Sequence, residues 1–331
     1  MNATEKKCLV LGATGFIGGH IALRAAQEGY QVRGLRRNPE SSGHLGATQI
    51  EWYDGNLEEL ASMVRAMQGV DVVFHAAGYY PTHSIPREVP KQVAFAVDQI
   101  LGVIQAARMA EVKKFVFTSS LTTIGNPTSG SNRLANETDI YIPGTVGKSA
   151  YYESKIAMET RVLDAVGEGF PAVVVNPTAV FGPGDVHLTL GKILLAIKRG
   201  YAIAWIPAKT NVVDVRDVAA GHLAAAKRGR IGERYILGGF NMSVKTIIDI
   251  VANLYNIHPP FFQISTKTLQ RIVALVDLIP FLSTGNHLRA IPYWQSFNTE
   301  KAEKELGCQT RPFGDTIHDA IEWFRENGIK V

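Results

Sequence analysis

The stretch "CLVLGATGFIGGHIALRAA", from Cys8 to Ala26, constrains the fold more than any other part of the chain. An apolar run leads straight into Gly12, Gly15 and Gly18, and a segment of helical apolar period follows. Glycine permits a tight turn and a close approach of backbone. The helix start then offers unpaired N–H groups and a positive dipole end to a pyrophosphate. A glycine triplet alone is weak evidence, but with a strand before it and a helix after it the stretch becomes a dinucleotide site. Gly12, Thr14, Gly15, Phe16, Ile17 and Gly18 are its expected contacts.

Beyond this turn, β-branched apolar runs alternate with longer segments of helical period, which is the order of a parallel sheet with crossover helices. Strands are expected at Cys8–Leu11, Gln31–Leu35, Gln49–Tyr53, Val72–Ala76, Phe115–Thr118 and Ala172–Asn176. Val93, Val97, Ile100, Leu101, Ile104 and Ala107 recur at helical spacing and form one apolar face. The fold class is therefore α/β: a doubly wound parallel Rossmann sheet with a smaller C-terminal α/β substrate lobe. At 331 residues the chain exceeds the usual single core. Residues 1–177 are assigned to the dinucleotide-binding domain. Residues 178–331 go mainly to the substrate lobe, with the chain crossing back to the first sheet. In that half a helix is expected around Leu188–Arg199 and a strand at "NVVDV".

Bulk properties exclude several classes. The net charge is +4, and the densest basic clusters are "RGLRR" and "KRGR", too short to track a nucleic-acid backbone. Cys8 and Cys308 lie far apart, which fits reduced thiols and a cytoplasmic location. The N-terminus runs from a polar leader into the first strand without the apolar core of a signal peptide. Leu269–Leu282 is the longest suspicious apolar stretch, but it holds Arg271, Asp277 and Pro280 and is too short to span a bilayer. It is read as a core or lid helix, with weak association at a membrane surface as the alternative. His75, His83, His187 and His222 are scattered without ligand spacing, so no metal is expected.

The choice of dinucleotide turns on the end of the second strand. An acidic residue there holds the 2′-hydroxyl of NAD, whereas an arginine accepts the 2′-phosphate of NADP. The sequence is "VRGLRRNPE", with Arg36 and Arg37 and no acid before Glu40. A guanidinium can give two parallel hydrogen bonds to a phosphate, so NADP is expected over NAD.

A second chemical site is marked by "SAYYESKIAM" and "FVFTSSLTTIG". On a helix, Tyr151 or Tyr152 could meet Lys155 across one turn. Thr118, Ser119 and Ser120 sit at a strand's C-terminal end, where open α/β sheets place ligands. A free phenol has a pKa of about 10, and a nearby ammonium would lower it toward neutral pH.

"GATGFIG", "VFHAAG", "FVFTSS", the Tyr151-to-Lys155 spacing, "NPTAVFGPGD", "NVVDVRDVAAGHL" and "GERYILGG" together resemble the extended short-chain dehydrogenase/reductase family over nearly the whole chain. The long segment between Ser120 and Tyr151 looks like its dihydroflavonol reductase-like branch. The resemblance implies Tyr151 as catalytic acid-base and Ser120 as the hydroxyl that holds the substrate carbonyl, with Ser119 as fallback. Lys155 tunes the tyrosine and bonds the nicotinamide ribose. It also implies cofactor contacts at Asn56, Leu57, Ala76, Ala77, Gly78, Thr118, Asn176, Pro177, Thr178 and Val180. Asp98 stands where that family has an asparagine, which puts its proton relay in doubt. The helices near Val93–Ala107 and Ile156–Val166 are paired by the family in a homodimer.

The expected activity is NADP-dependent reduction of a small or apolar ketone or aldehyde. Tyr79, Tyr80, Trp205, Phe261, Phe262, Leu275 and Phe281 give the substrate region an apolar, aromatic character, and Arg289 lacks the Gly-Asp that follows it in nucleotide-sugar members. A nucleotide-sugar epimerase or dehydratase with retained dinucleotide is the alternative, and a non-catalytic dinucleotide sensor the remote one.

Overall fold

The structure, a computed structural model, describes residues 6–330 apart from 47, 80, 82, 85, 129–131, 148, 203, 277–283 and 286–288. Tyr80, Phe281 and the end of the Leu269–Leu282 stretch therefore lie outside the described residues. The first half runs β1 (Lys7–Leu11), α1 (Phe16–Gln27), β2 (Gln31–Arg36), β3 (Glu51–Asp54), α2 (Leu60–Met67), β4 (Val72–His75), β5 (His83–Ser84), α3 (Val89–Met109), β6 (Lys114–Thr118), α4 (Ala150–Gly167) and β7 (Ala172–Pro177). The second half continues with β8 (Ala179–Phe181), α5 (Gly191–Lys198), β9 (Ala204–Trp205), β10 (Lys209–Asp214), α6 (Val215–Arg228), β11 (Arg234–Leu237), β12 (Phe240–Ser243), α7 (Val244–Tyr255), β13 (Phe262–Gln263), α8 (Thr266–Val276) and β14 (Thr284–Gly285), and ends in a helix at Phe313–Glu326.

Seven strands form one sheet in the order β11-β7-β6-β4-β1-β2-β3, every pair parallel. Alternation along each strand feeds two cores. Cys8 and Val10 of β1 pack with α1 and α6 on one face, and Leu9 and Leu11 pack with α2, α3 and α4 on the other. Burial on both faces is why these strands are continuously apolar rather than alternating. The edge strand β11 and the helix α6 come from the second half of the chain, so the first sheet is finished only after the polypeptide has left and returned.

The smaller lobe holds a second sheet, β12-β10-β8, packed with α5, α7 and the C-terminal helix around Leu194, Ile247, Val251, Ile317 and Phe324. The expected helix from Leu188 starts later, at Gly191. Buried Asp185 accepts from the Thr189 and Gly191 amides, and Leu188 has φ +49°, which breaks the helical path. Two short ribbons, β9 with β13 and β5 with β14, border this lobe. Among the described residues no helix is long and apolar enough to cross a membrane.

Candidate active site

The glycine turn joins β1 to α1 at the C-terminal end of the sheet. Gly12 has φ +91°, and a Cβ there would lie 2.9 Å from the Ala77 nitrogen and 3.0 Å from the Ala76 carbonyl carbon. Only glycine fits both the backbone angle and the gap. A Cβ on Gly18 would strike the Gly12 carbonyl oxygen. Gly15 caps α1 without a side-chain hydrogen bond, and the first turn carries no acid, so the dipole end faces outward uncompensated. Thr14, Phe16 and Ile17 remain partly exposed around it. This cradle fits a dinucleotide pyrophosphate: close backbone, free amides and no anion in the way.

At the neighbouring strand ends the expected contacts divide. Arg36 is already engaged: its Nε donates to Asp54 Oδ1 at 2.9 Å and its guanidinium stacks over Trp52 at 5.1 Å. Arg37, the next residue, is exposed and makes no ion pair or hydrogen bond among the described residues. Asn56 closes an Asx turn by accepting from the Glu58 amide at 2.7 Å, while Leu57 packs on the core beside it. Ala76, Ala77 and Gly78 follow β4 and are half-buried beside the glycine turn.

The catalytic candidates meet between β6 and α4. Tyr151, in the first turn of α4, donates from Oη to Ser120 Oγ at 3.1 Å. Ser120 caps a short helical turn at Leu121–Thr123, its Oγ accepting the Thr122 amide at 3.2 Å. One turn after Tyr151, buried Lys155 donates to the Thr118 carbonyl at 3.4 Å and lies beside Gly78, where a Cβ would sit 3.8 Å from Nζ. The ammonium thus stands between the ends of β4 and β6, facing the strip where a ribose would run. Tyr152 turns the other way, buried against Tyr141 with ring centroids 5.4 Å apart.

Burial sets the proton affinities here. It pushes the Lys155 ammonium down to about 8, with the Glu159 carboxylate pulling it part of the way back. It pushes the Tyr151 phenol above its ordinary value, against the hydrogen bond to Ser120. The phenol is therefore raised rather than lowered here, because loss of water around it outweighs the hydrogen bond to Ser120.

Several expected contacts are turned away from the cleft. The Thr118 hydroxyl bonds His222 Nε2 at 2.8 Å, so only its carbonyl faces Lys155. His222 Nδ1 in turn donates to the Val218 carbonyl at 2.8 Å. Asn176 is fully buried, donating to Thr123 Oγ1 and Glu159 Oε2, each at 2.9 Å. Thr178 donates to Asn211 Oδ1 at 2.9 Å, Val180 is in the core, and Pro177 ends β7. The Asn176 amide nitrogen and the Thr178 hydroxyl are thus engaged away from the cleft, while Asn176 Oδ1 has no partner among the described residues. Asp98 is exposed on α3. Among the described residues no three His, Cys, Asp or Glu side chains gather as a metal site.

What sequence reasoning missed is Glu159. Its carboxylate is buried and ion-paired to Arg234 Nε at 2.7 Å. It also accepts from Ser119 Oγ, Thr123 Oγ1 and Asn176. Ser119 is consumed by this network, which leaves Ser120 as the hydroxyl facing Tyr151. The signal was present: Tyr151, Lys155 and Glu159 recur at four-residue spacing, one face of one helix.

Residues 8–238 match the NAD dependent epimerase/dehydratase family. The chain is 30% identical to a putative dihydroflavonol 4-reductase of Synechocystis sp., across 96% of this chain and 94% of that protein. It is 28% identical to sterol demethylase protein B of Methylococcus capsulatus, across 97% and 99%. Among solved structures, a nucleoside-diphosphate-sugar epimerase from Pseudomonas aeruginosa superposes with a TM-score of 0.84 at 27% identity, covering 99% of this chain and all (100%) of that one.

Proposed function

The chain belongs to the NAD dependent epimerase/dehydratase family, and on that footing we propose that it is an NADP-dependent carbonyl reductase, or alcohol dehydrogenase in the reverse direction, acting on a small or apolar ketone or aldehyde. One observation carries the reading: the hydroxyls of Tyr151 and Ser120 stand 3.1 Å apart, with the buried ammonium of Lys155 one helical turn away. A carbonyl oxygen placed at that pair accepts from both hydroxyls.

The dinucleotide supplies the hydride that reduces the carbonyl carbon. Gly12, Thr14, Gly15, Phe16, Ile17 and Gly18 hold its pyrophosphate, Asn56 and Leu57 its adenine, and Ala76, Ala77, Gly78 and Lys155 its ribose strip. Ser120 orients the substrate oxygen. Tyr151, kept neutral by burial, gives that oxygen its proton and completes the alcohol. The phenolate left behind is offset by the Lys155 ammonium and regains a proton from solvent. Arg37, unengaged among the described residues, is the better candidate for a 2′-phosphate; Arg36 stays on Asp54. An apolar substrate is favoured by Tyr293 and Trp294, which pack partly buried on the same apolar cluster as Tyr151. The likeness to a dihydroflavonol reductase and to a sterol-processing protein points the same way.

The test is steady consumption of NADPH with a panel of aldehydes, steroid ketones and flavonoid ketones, run beside the Tyr151→Phe variant. Turnover in that variant should fall by on the order of 10²- to 10⁴-fold with NADPH binding intact. A fully active Phe variant sinks the assignment. The second reading, a nucleotide-sugar epimerase with retained dinucleotide, is favoured by the likeness to the Pseudomonas enzyme. Tightly copurifying NAD and firm binding of a uridine or thymidine diphosphate, with no net NADPH consumption, would select it.

A homodimer is also inferred. The outer surface of α3 leaves Phe95, Leu101 and Met109 exposed at 38%, 45% and 59%. Beside it, Arg161 and Asp164 of α4 and Glu168 just past its end line one shallow groove.

A further inference from the structure

At one edge of the substrate lobe, Phe262 pairs with Ala204 and Gln263 with Trp205 in parallel, which brings Tyr201 and Phe261 to the same end of the ribbon. Tyr201 is 69% exposed, Phe261 89% and Phe262 72%. Helix α8 follows directly. It turns Leu269 inward and leaves Ile272 and Leu275 outside, 47% and 64% exposed, on a surface shared with exposed Lys267 and Arg271. Large apolar side chains this exposed mark a surface that meets something other than water.

Between Phe261 and Val276 the charged side chains are Lys267 and Arg271, both exposed on α8, and Asp277, next in the chain, lies outside the described residues. Lys198 lies over the Tyr255 ring at 5.0 Å, which joins the ends of α5 and α7. The acids that approach are already paired, Asp249 with Lys245 and Glu322 with Arg325. Protruding rings with a cationic rim make a surface that inserts rather than one that receives. A second copy of the chain would bring like charges together.

We propose that this edge docks on an anionic lipid bilayer. Phe261, Phe262, Ile272 and Leu275 enter the boundary between headgroups and acyl chains, while Lys267 and Arg271 meet lipid phosphates. A cavity of about 650 Å³ begins at the same edge, walled by Trp205 and Thr266. Its lining also includes Gln295, whose Nε2 donates to the Gly125 carbonyl at 2.9 Å, on the loop that follows Ser120. Docking there would bring this cavity near the bilayer, which suits a carbonyl compound dissolved in it. That consequence rests on the reductase reading above; the docking does not.

Cosedimentation of the full chain with vesicles tests it. Vesicles of phosphatidylcholine containing phosphatidylglycerol should bind the chain, phosphatidylcholine alone should bind it weakly, and added salt should release it. Replacing both rings (Phe261→Ser with Phe262→Ser) should weaken binding by on the order of tenfold or more. Lys267→Gln with Arg271→Gln should cost about fivefold per cation, on the anionic vesicles only. Both variants alter exposed side chains, so their thermal unfolding should match the parent. Absence of binding by the parent chain, or equal binding by the ring variant, overturns the proposal. So does self-association without vesicles that the ring variant abolishes, since a second copy would then cover the face. Sedimentation reads docking without turnover, so a chain that docks but reduces nothing sinks only the reductase reading.

Discussion

Lys155 is charged at neutral pH in a place that disfavours charge, and this has a measurable signature. Its folded-state pKa of about 8 lies below the 10.5 of the free side chain. Below pH 8 the ammonium is present in both states and the burial penalty acts in full. Between about pH 8 and 10.5 the folded lysine is neutral while the unfolded one stays charged, so unfolding takes up a proton and stability rises with pH. The gap corresponds to about 3 kcal/mol. Against a Lys155→Met variant, the parent chain should therefore gain about 3 kcal/mol in relative stability from pH 7 to pH 10.5, followed by denaturant unfolding; a flat difference would refute the shift. At the cofactor end, Arg37→Ala should raise the KM for NADPH by on the order of tenfold and leave that for NADH unchanged. Tyr151, Lys155 and the glycines were legible because each is tied to a fixed spacing or a backbone angle. Glu159 and the direction of the Tyr151 shift were not, because both depend on which neighbours exclude water, and those neighbours come from distant strands.

Between elements, the bond that matters most joins Arg234 of β11 to Glu159 of α4, with side chains 8% and 2% exposed. From Glu159 the network runs through Ser119 and Thr123 into the loop that carries Ser120. Removing one partner leaves a buried charge, so Arg234→Met should cost about 3–5 kcal/mol. A joint Arg234→Met and Glu159→Leu variant should recover most of that in thermal unfolding while kcat stays low, because the Ser120 loop has lost its anchor. The inner strands could be placed from their apolar runs alone, with ends correct to within one or two residues. β11 was visible only as part of a motif, since the residues "RYIL" are too few to mark a strand until β7 is seen beside them.

For the whole molecule, the exposed apolar residues of α3 predict assembly. Leu101→Glu with Met109→Glu should turn a dimer into a monomer by light scattering, with the fold retained, because both positions face solvent within one chain. The doubly wound class was readable from the alternation of strands and helices. The return of the chain was expected, but its place at the β7 edge depends on pairing that no local pattern encodes. That return also bears on synthesis. β7 ends at Pro177 and its outer partner ends at Leu237. At the usual pace of translation, a ribosome takes roughly 3–12 s to make the intervening residues. For that interval "AVVVN" stands as an apolar edge with no outer neighbour, which makes the nascent chain, rather than the finished protein, the form most in need of a chaperone.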